Sequence, residues 1–131
     1  MSFTANILTA KDAIARHMQW RIALEFAITI QEALPAEQRD EIQHDERCAI
    51  GRWLVSPATR SIRSTEELEN LVRTHYRFHR EMEVIALLLS EGKFDQAKRA
   101  IGPGSEFQAA SHEIAMAIMA VDRVLVMAVP V

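Results

Sequence analysis

The chain has little of several residue types that mark other classes of protein. Its 131 residues include a single cysteine, so no disulfide can form within the chain, and a lone thiol is typical of a reducing compartment. Four glycines and four prolines leave long stretches without residues that interrupt helices. The 15 basic residues are outnumbered by 18 acidic ones and are scattered along the chain, so nucleic acid is not expected as a partner.

Long uninterrupted apolar runs are also missing. The stretch 114–131 is nearly apolar but contains Asp122 and Arg123, and the remainder is too short to cross a bilayer. The first residues lack the basic start, apolar run and small-residue cleavage site of a secretory signal. Together with the unpaired cysteine, these absences predict a cytoplasmic protein without membrane insertion.

Apolar residues are abundant and recur at helical spacing. They make up 49% of the chain, which is enough for one domain over residues 1–131 with a core of its own. Periodicity and capping residues predict four helices, at about 4–34 with Thr4 as the cap, from 64 or 65 to 92, over 93–101, and from a cap at Ser105 onward.

Two shorter segments complete the predicted fold. The polar and acidic stretch 35–44 is expected to be a loop or a frayed turn, and the apolar patch 48–55 has the length of one or two helical turns. The prediction is therefore an all-α fold, an antiparallel four-helix bundle with a short extra helix that carries the cysteine.

Three histidines occupy predicted inward positions. His75 and His79 are one helical turn apart on an apolar stripe, where their side chains can reach a common ligand. The spacing is frequent by chance, and the alternative is a pair of core histidines bonded to backbone carbonyls. His17 also lies on the inner stripe of its helix. Three buried imidazoles are costly unless something satisfies their nitrogens, which favours a bound metal ion.

Cys48 is the fourth candidate ligand, at the start of the short apolar patch. Taken alone, a single cysteine is more often a small buried hydrophobe. Gly51 is expected to let this turn approach another helix closely. Imidazole and thiolate donors together suit zinc and disfavour magnesium and calcium. Glu25, Glu81 and Glu83 are the candidates for a carboxylate that offsets the charge of the site, and the sequence does not choose between them. His44 is expected at the surface or beside the ligands without binding the metal, and His112 is expected to be solvated. The tryptophans and methionines are expected to serve in packing.

Three segments resemble the signature segments of the chemoreceptor zinc-binding domain family. They are RHMQW at 16–20, HDERCAIGRWL at 44–54 and HYRFH at 75–79. The family pattern has a histidine shortly before a tryptophan, a Cys-x-hydrophobic-Gly-Lys/Arg-Trp patch, and His-x-x-x-His around an aromatic residue. The resemblance implies a zinc ion held by His17, Cys48, His75 and His79. It also implies a sensory role, because such domains are attached to chemoreceptors, diguanylate cyclases and other signalling proteins.

These observations predict a regulatory domain rather than an enzyme. Four protein ligands close the shell of a zinc ion and leave no position for a substrate. The apolar end at 124–131 favours a homodimer, and a signalling partner of the chemoreceptor or diguanylate cyclase type follows from the resemblance. Two alternatives remain open, a metal-free helical dimerisation module and a haemerythrin-like bundle that binds iron or dioxygen. The second would need more histidine and carboxylate ligands than the inner stripes offer.

Overall fold

The computed structural model describes residues 9–128, and within this range it is built of helices without a β-strand. The helices are α1 (Ala10–Ile30), α2 (Ala36–Gln43), α3 (Ala49–Leu54), α4 (Glu66–Ser90), α5 (Phe94–Ala100) and α6 (Glu106–Ala128), with 3₁₀ turns at Asp45–Arg47 and Pro57–Ile62. The all-α class is confirmed. Across the described range, no helix combines the length and apolar character needed to cross a membrane.

Side-chain caps define where the helices begin. The Thr65 hydroxyl accepts a hydrogen bond from the Leu68 amide at 3.2 Å, and the Ser105 hydroxyl accepts one from the Gln108 amide at 3.1 Å, as their positions predicted. Thr9 caps α1 in the same way. The predicted cap Thr4 lies outside the described residues.

The prediction of a loop over 35–44 is wrong, because α2 occupies most of that stretch. Pro35 stands at its start, where a fixed φ and a missing amide proton are tolerated. Ile42 is fully buried near the other end of the helix. One apolar anchor is too little to give a periodic pattern, so this helix is stabilised by its contact with α4 rather than by amphipathicity.

The long helices form a bundle around α4. Phe78 of α4 packs against Phe107 near the start of α6, with ring centroids 5.6 Å apart, whereas Leu71 lies near Ile118 further along α6. The two helices are therefore antiparallel. Helix α1 is antiparallel to α6 as well, since Arg21 donates to the carbonyl of Ile101 just before α6 at 3.2 Å, while Thr9 and Ala13 lie beside Ile118 and Leu125. Helices α1 and α4 thus run in the same direction, and α2 and α3 lie between them in the chain.

Candidate metal centre

Three of the four predicted ligands converge inside the bundle. One donor atom from each of Cys48, His75 and His79 lies within 4.8 Å of the others, and all three side chains are buried. Sγ of Cys48 is 3.1 Å from Nε2 of His75. The two imidazole centroids are 4.6 Å apart, as expected for residues one turn apart on α4. This group is close enough to hold a metal ion.

His79 presents a buried nitrogen to this group without a partner. Its Nδ1 donates to the Ile42 carbonyl at 3.0 Å, which places the proton on Nδ1 and the lone pair on Nε2. Nε2 is buried and makes no hydrogen bond. An unsatisfied buried acceptor costs about 1–3 kcal/mol, so a folded protein rarely retains one without a function. A metal ion bound at Nε2 would satisfy it.

All three buried histidines turn Nδ1 toward an oxygen atom. Nδ1 of His17 is 3.0 Å from the Ala13 carbonyl, and Nδ1 of His75 is 3.8 Å from Oδ2 of Asp45. The bonds of His17 and His79 place the proton on Nδ1 and the lone pair on Nε2, whereas His75 faces Asp45 at a distance longer than a hydrogen bond. Histidines that bind metals through one nitrogen commonly donate the other N–H to a carbonyl or carboxylate. The arrangement therefore fits ligation through Nε2.

His17 lies beside this group, but it is not among the residues whose donor atoms lie within 4.8 Å of one another. Its side chain is buried, and its ring centroid is 5.8 Å from that of His75 and 4.7 Å from that of Phe78. The structure thus brings α1 next to the cluster. The assignment of His17 as the fourth ligand stays a prediction.

Cys48 is held at the N-terminus of α3. Its sulfur accepts a hydrogen bond from the Gly51 amide at 3.3 Å. A Cβ atom on Gly51 would lie 2.0 Å from the Asp45 carbonyl oxygen, so no other residue fits without displacing the preceding turn. Gly51 was expected to allow close approach to another helix, but the neighbour is the 3₁₀ turn that carries Asp45. The absence of a side chain at Gly51 therefore lets the turn that begins at Cys48 pack directly against the 3₁₀ turn whose Asp45 faces His75.

Burial keeps the imidazoles neutral. It lowers the pKa of His17 to about 4 and that of His75 to about 2, and it also lowers the pKa of His79. Neutral imidazole is the form that binds a metal ion. Burial raises the pKa of the Cys48 thiol, so the sulfur is protonated in the metal-free protein, and a bound cation would have to displace that proton.

The carboxylate beside the cluster is one that the sequence did not indicate. Asp45 faces His75, whereas Glu25 pairs with Arg21 and Glu83 with Arg80. Asp45 is in a short turn without periodicity, and its approach to His75 depends on the packing of that turn on α4. The two other histidines lie elsewhere: His44 faces the carboxylates of Asp40 and Glu46, and His112 is exposed on α6.

A solvent-open cleft of about 250 Å³ leads to the cluster from the side of α1 and α2. Cys48 and His17 line it, together with Trp20 and the small side chains of Ala23 and Ala49. The polar residues among the lining are Arg16, Gln19, Gln38 and Glu41. The buried Cys48 is therefore next to a cleft that is open to solvent.

The fold and this cluster define an all-helical domain with a buried Cys/His/His group that could hold a metal ion. Comparisons of the chain with protein-family models, with curated proteins and with solved structures give no match. The resemblance to the chemoreceptor zinc-binding domain family accordingly depends on the three motifs.

Proposed function

We propose that this chain is a zinc-binding regulatory domain of a signalling system, related to the chemoreceptor zinc-binding domains. In this proposal His17, Cys48, His75 and His79 hold one zinc ion, and its presence controls the packing of the helices. The unpaired Nε2 of His79, buried beside a thiol and a second imidazole, is the observation that carries the proposal.

The donor set supports zinc in particular. Three imidazoles and one thiolate are borderline and soft donors, which zinc prefers in a tetrahedral shell, and the cluster of three close donors contains no carboxylate. Harder ions such as magnesium and calcium require oxygen ligands. With all four ligands in place the shell would be closed, which supports a regulatory role over hydrolytic chemistry.

The ligand positions explain how zinc would act on the structure. His17 is on α1, Cys48 at the start of α3, and His75 and His79 on α4, so one ion would join three helices that are far apart in sequence. Structural zinc contributes on the order of 10–16 kcal/mol in small peptides. A small part of that energy is enough to shift a bundle between two packing arrangements.

Oxidation of Cys48 is a second way to control the same site. Hypochlorous acid converts a thiolate to a sulfenic acid, with transfer of two electrons from sulfur to chlorine and release of chloride. The sulfenic acid is a poorer ligand than the thiolate, so one link between α3 and α4 would weaken. The cleft that reaches Cys48 offers such an oxidant a path.

Metal content of the purified protein tests the proposal. We expect one zinc ion per chain, a clear drop of the melting temperature with a strong chelator, and loss of zinc in Cys48→Ser and His79→Gln. His112→Gln is the matched control, because this histidine is exposed on α6. A metal-free dimerisation module predicts a melting temperature that a chelator does not change, and a haemerythrin-like bundle predicts iron and colour.

We also propose that the domain acts as a cytoplasmic homodimer that contacts a signalling partner. The support is an apolar stripe on the outer face of α1, formed by Met18, Ile22, Phe26 and Ile30, whose exposed fractions are 43–63%. These residues are four apart and so form one continuous ridge. The predicted contact through 124–131 lies partly outside the described residues, which end at 128.

A further inference from the structure

Arg80 follows His79 on α4 and extends toward the end of α2 and the Asp45 turn. We propose that Arg80 is a positioning residue of the metal centre, which fixes the two oxygen groups that face His75 and His79. The inference depends on the proposed metal site and assigns a role to a residue that is not itself a ligand.

The first oxygen group is the carbonyl of Ile42. It accepts one hydrogen bond from Nδ1 of His79 at 3.0 Å and another from an Nη atom of Arg80 at 3.1 Å. The same Nη donates to the carbonyl of Gln43 at 3.0 Å. These carbonyls are at the C-terminal end of α2, where carbonyl groups have no partner within the helix and the dipole favours a cation. Arg80 therefore anchors the end of α2 at the place where His79 needs its acceptor.

The second oxygen group is the carboxylate of Asp45, which lies beside both His75 and Arg80 at ion-pair distances longer than a hydrogen bond. Its Oδ2 is 3.8 Å from Nδ1 of His75, and its Oδ1 is 3.9 Å from the guanidinium of Arg80. One carboxylate thus stands between the arginine and the imidazole. Because Asp45 belongs to a 3₁₀ turn of three residues, its contact with the guanidinium restricts where its second oxygen can point.

Two further contacts hold the guanidinium in place. It lies over the ring of Tyr76, 4.7 Å from the centroid, and its Nε is 2.6 Å from Oε1 of Glu83, as an ion pair without the alignment of a hydrogen bond. One Nη donates to both carbonyls, while the plane of the guanidinium stacks on the Tyr76 ring and Nε faces Glu83, a combination that a lysine ammonium cannot reproduce in full. We therefore expect the site to require arginine and not merely a positive charge.

A positioning role and a purely electrostatic role of Arg80 predict opposite changes in metal affinity when its charge is removed. A cation close to a metal site repels the ion, so a purely electrostatic role predicts tighter metal binding when the charge is removed. A positioning role predicts weaker binding, because the oxygen groups that face the two imidazoles are no longer held in place. Loss of such outer contacts typically lowers metal affinity about 10- to 100-fold.

The experiment compares zinc affinity, by competition with a chromophoric chelator, in the wild type, Arg80→Met, Arg80→Lys and Arg77→Met. Arg77 is the matched control: it is on the same helix, pairs with Glu106 and Glu113, and its side chain is 34% exposed against 32% for Arg80. Cobalt-loaded samples give a second readout, since the visible bands report ligand geometry.

We expect Arg80→Met to bind zinc about tenfold more weakly or worse, with altered cobalt bands. Arg80→Lys keeps the charge but should restore neither the zinc affinity nor the cobalt bands. Arg77→Met should match the wild type in both. Equal or tighter binding in Arg80→Met overturns the inference, and so does full rescue by Arg80→Lys. If Arg80→Met does not fold, the zinc affinity and cobalt bands of Arg80→Lys test the inference alone, and wild-type values overturn it. Failure of the wild type to bind metal would instead overturn the proposed function.

Discussion

Cys48 Sγ and His75 Nε2 lie 3.1 Å apart, although 27 positions separate the two residues in the chain. The contact joins the N-terminus of α3 to the middle of α4, and His79 adds its free nitrogen one turn further along. In a metal-free protein this arrangement brings a thiol and poorly satisfied imidazoles into the core.

Replacing His79 by leucine should separate stability from metal binding. The substitution removes the unsatisfied Nε2, and the Ile42 carbonyl keeps its hydrogen bond from Arg80. We expect the metal-free variant to be as stable as the wild type or more stable, by up to about 1–3 kcal/mol, and to lose metal affinity. Urea denaturation with excess chelator, beside a metal-binding titration, measures both effects, with His112→Leu as the control. A large loss of stability in the metal-free variant would show that His79 serves the core instead.

The metal-free protein should lose stability in mild acid. The pKa of His17 is about 4 in the folded state, against 6.5 for an ordinary histidine. Below pH 6.5 the unfolded chain takes up a proton that the folded chain refuses, so the free energy of unfolding falls until the pH reaches about 4. His17 alone accounts for about 3 kcal/mol of this loss.

Denaturation of the chelated protein at several pH values checks this pH dependence. The variant His17→Leu should have a shallower decline between pH 6.5 and 4 than the wild type. His112→Leu, which changes an exposed histidine, should decline as the wild type does. Equal slopes for the wild type and His17→Leu would contradict the assignment of a buried neutral imidazole at position 17.

Gly51→Ala should damage the cluster through the turn that holds Cys48. The added Cβ would meet the Asp45 carbonyl oxygen at 2.0 Å, so the turn and the Asp45 side chain must both shift. We expect a loss of about 1–3 kcal/mol in stability and weaker metal binding. Gly102→Ala is the control, since its nearest contacts are ordinary at 3.5 Å. Wild-type metal affinity in Gly51→Ala would mean that the position of Asp45 does not matter for the site.

Reagents should reach Cys48 through the cleft between α1 and α2. Ala23 lines this cleft, and a leucine there would fill part of it. We expect Ala23→Leu to slow modification of Cys48 by a small thiol reagent, without a change in melting temperature, and bound zinc to slow it in every variant. Ala120→Leu, at a half-buried position on α6, is the control. Equal rates in both variants would point to a different path to the sulfur.

The residue patterns predicted the parts of the site that depend on local geometry. The i,i+4 spacing placed His75 and His79 on one face, and hydroxyl residues marked the starts of α4 and α6. The convergence of Cys48 with these histidines followed from the motifs rather than from any local pattern. The sequence did not predict helix α2, because this helix depends on a tertiary contact, the burial of Ile42.

Asp45 and Arg80 show the same limit at the site itself. Both are charged residues in polar surroundings, and nothing in their spacing separates them from solvated surface residues. Their roles become visible once the 3₁₀ turn is packed on α4, where one carboxylate faces both the guanidinium and His75.

X-ray absorption at the zinc edge tests the central claim most directly, on protein purified and reloaded with one equivalent of zinc. The account predicts a four-coordinate ion with one sulfur at about 2.3 Å and three imidazole nitrogens at about 2.0–2.1 Å. It also predicts that Cys48→Ser retains no zinc after desalting. A wild-type protein that retains no zinc after desalting, or a bound ion without a sulfur neighbour, would contradict it.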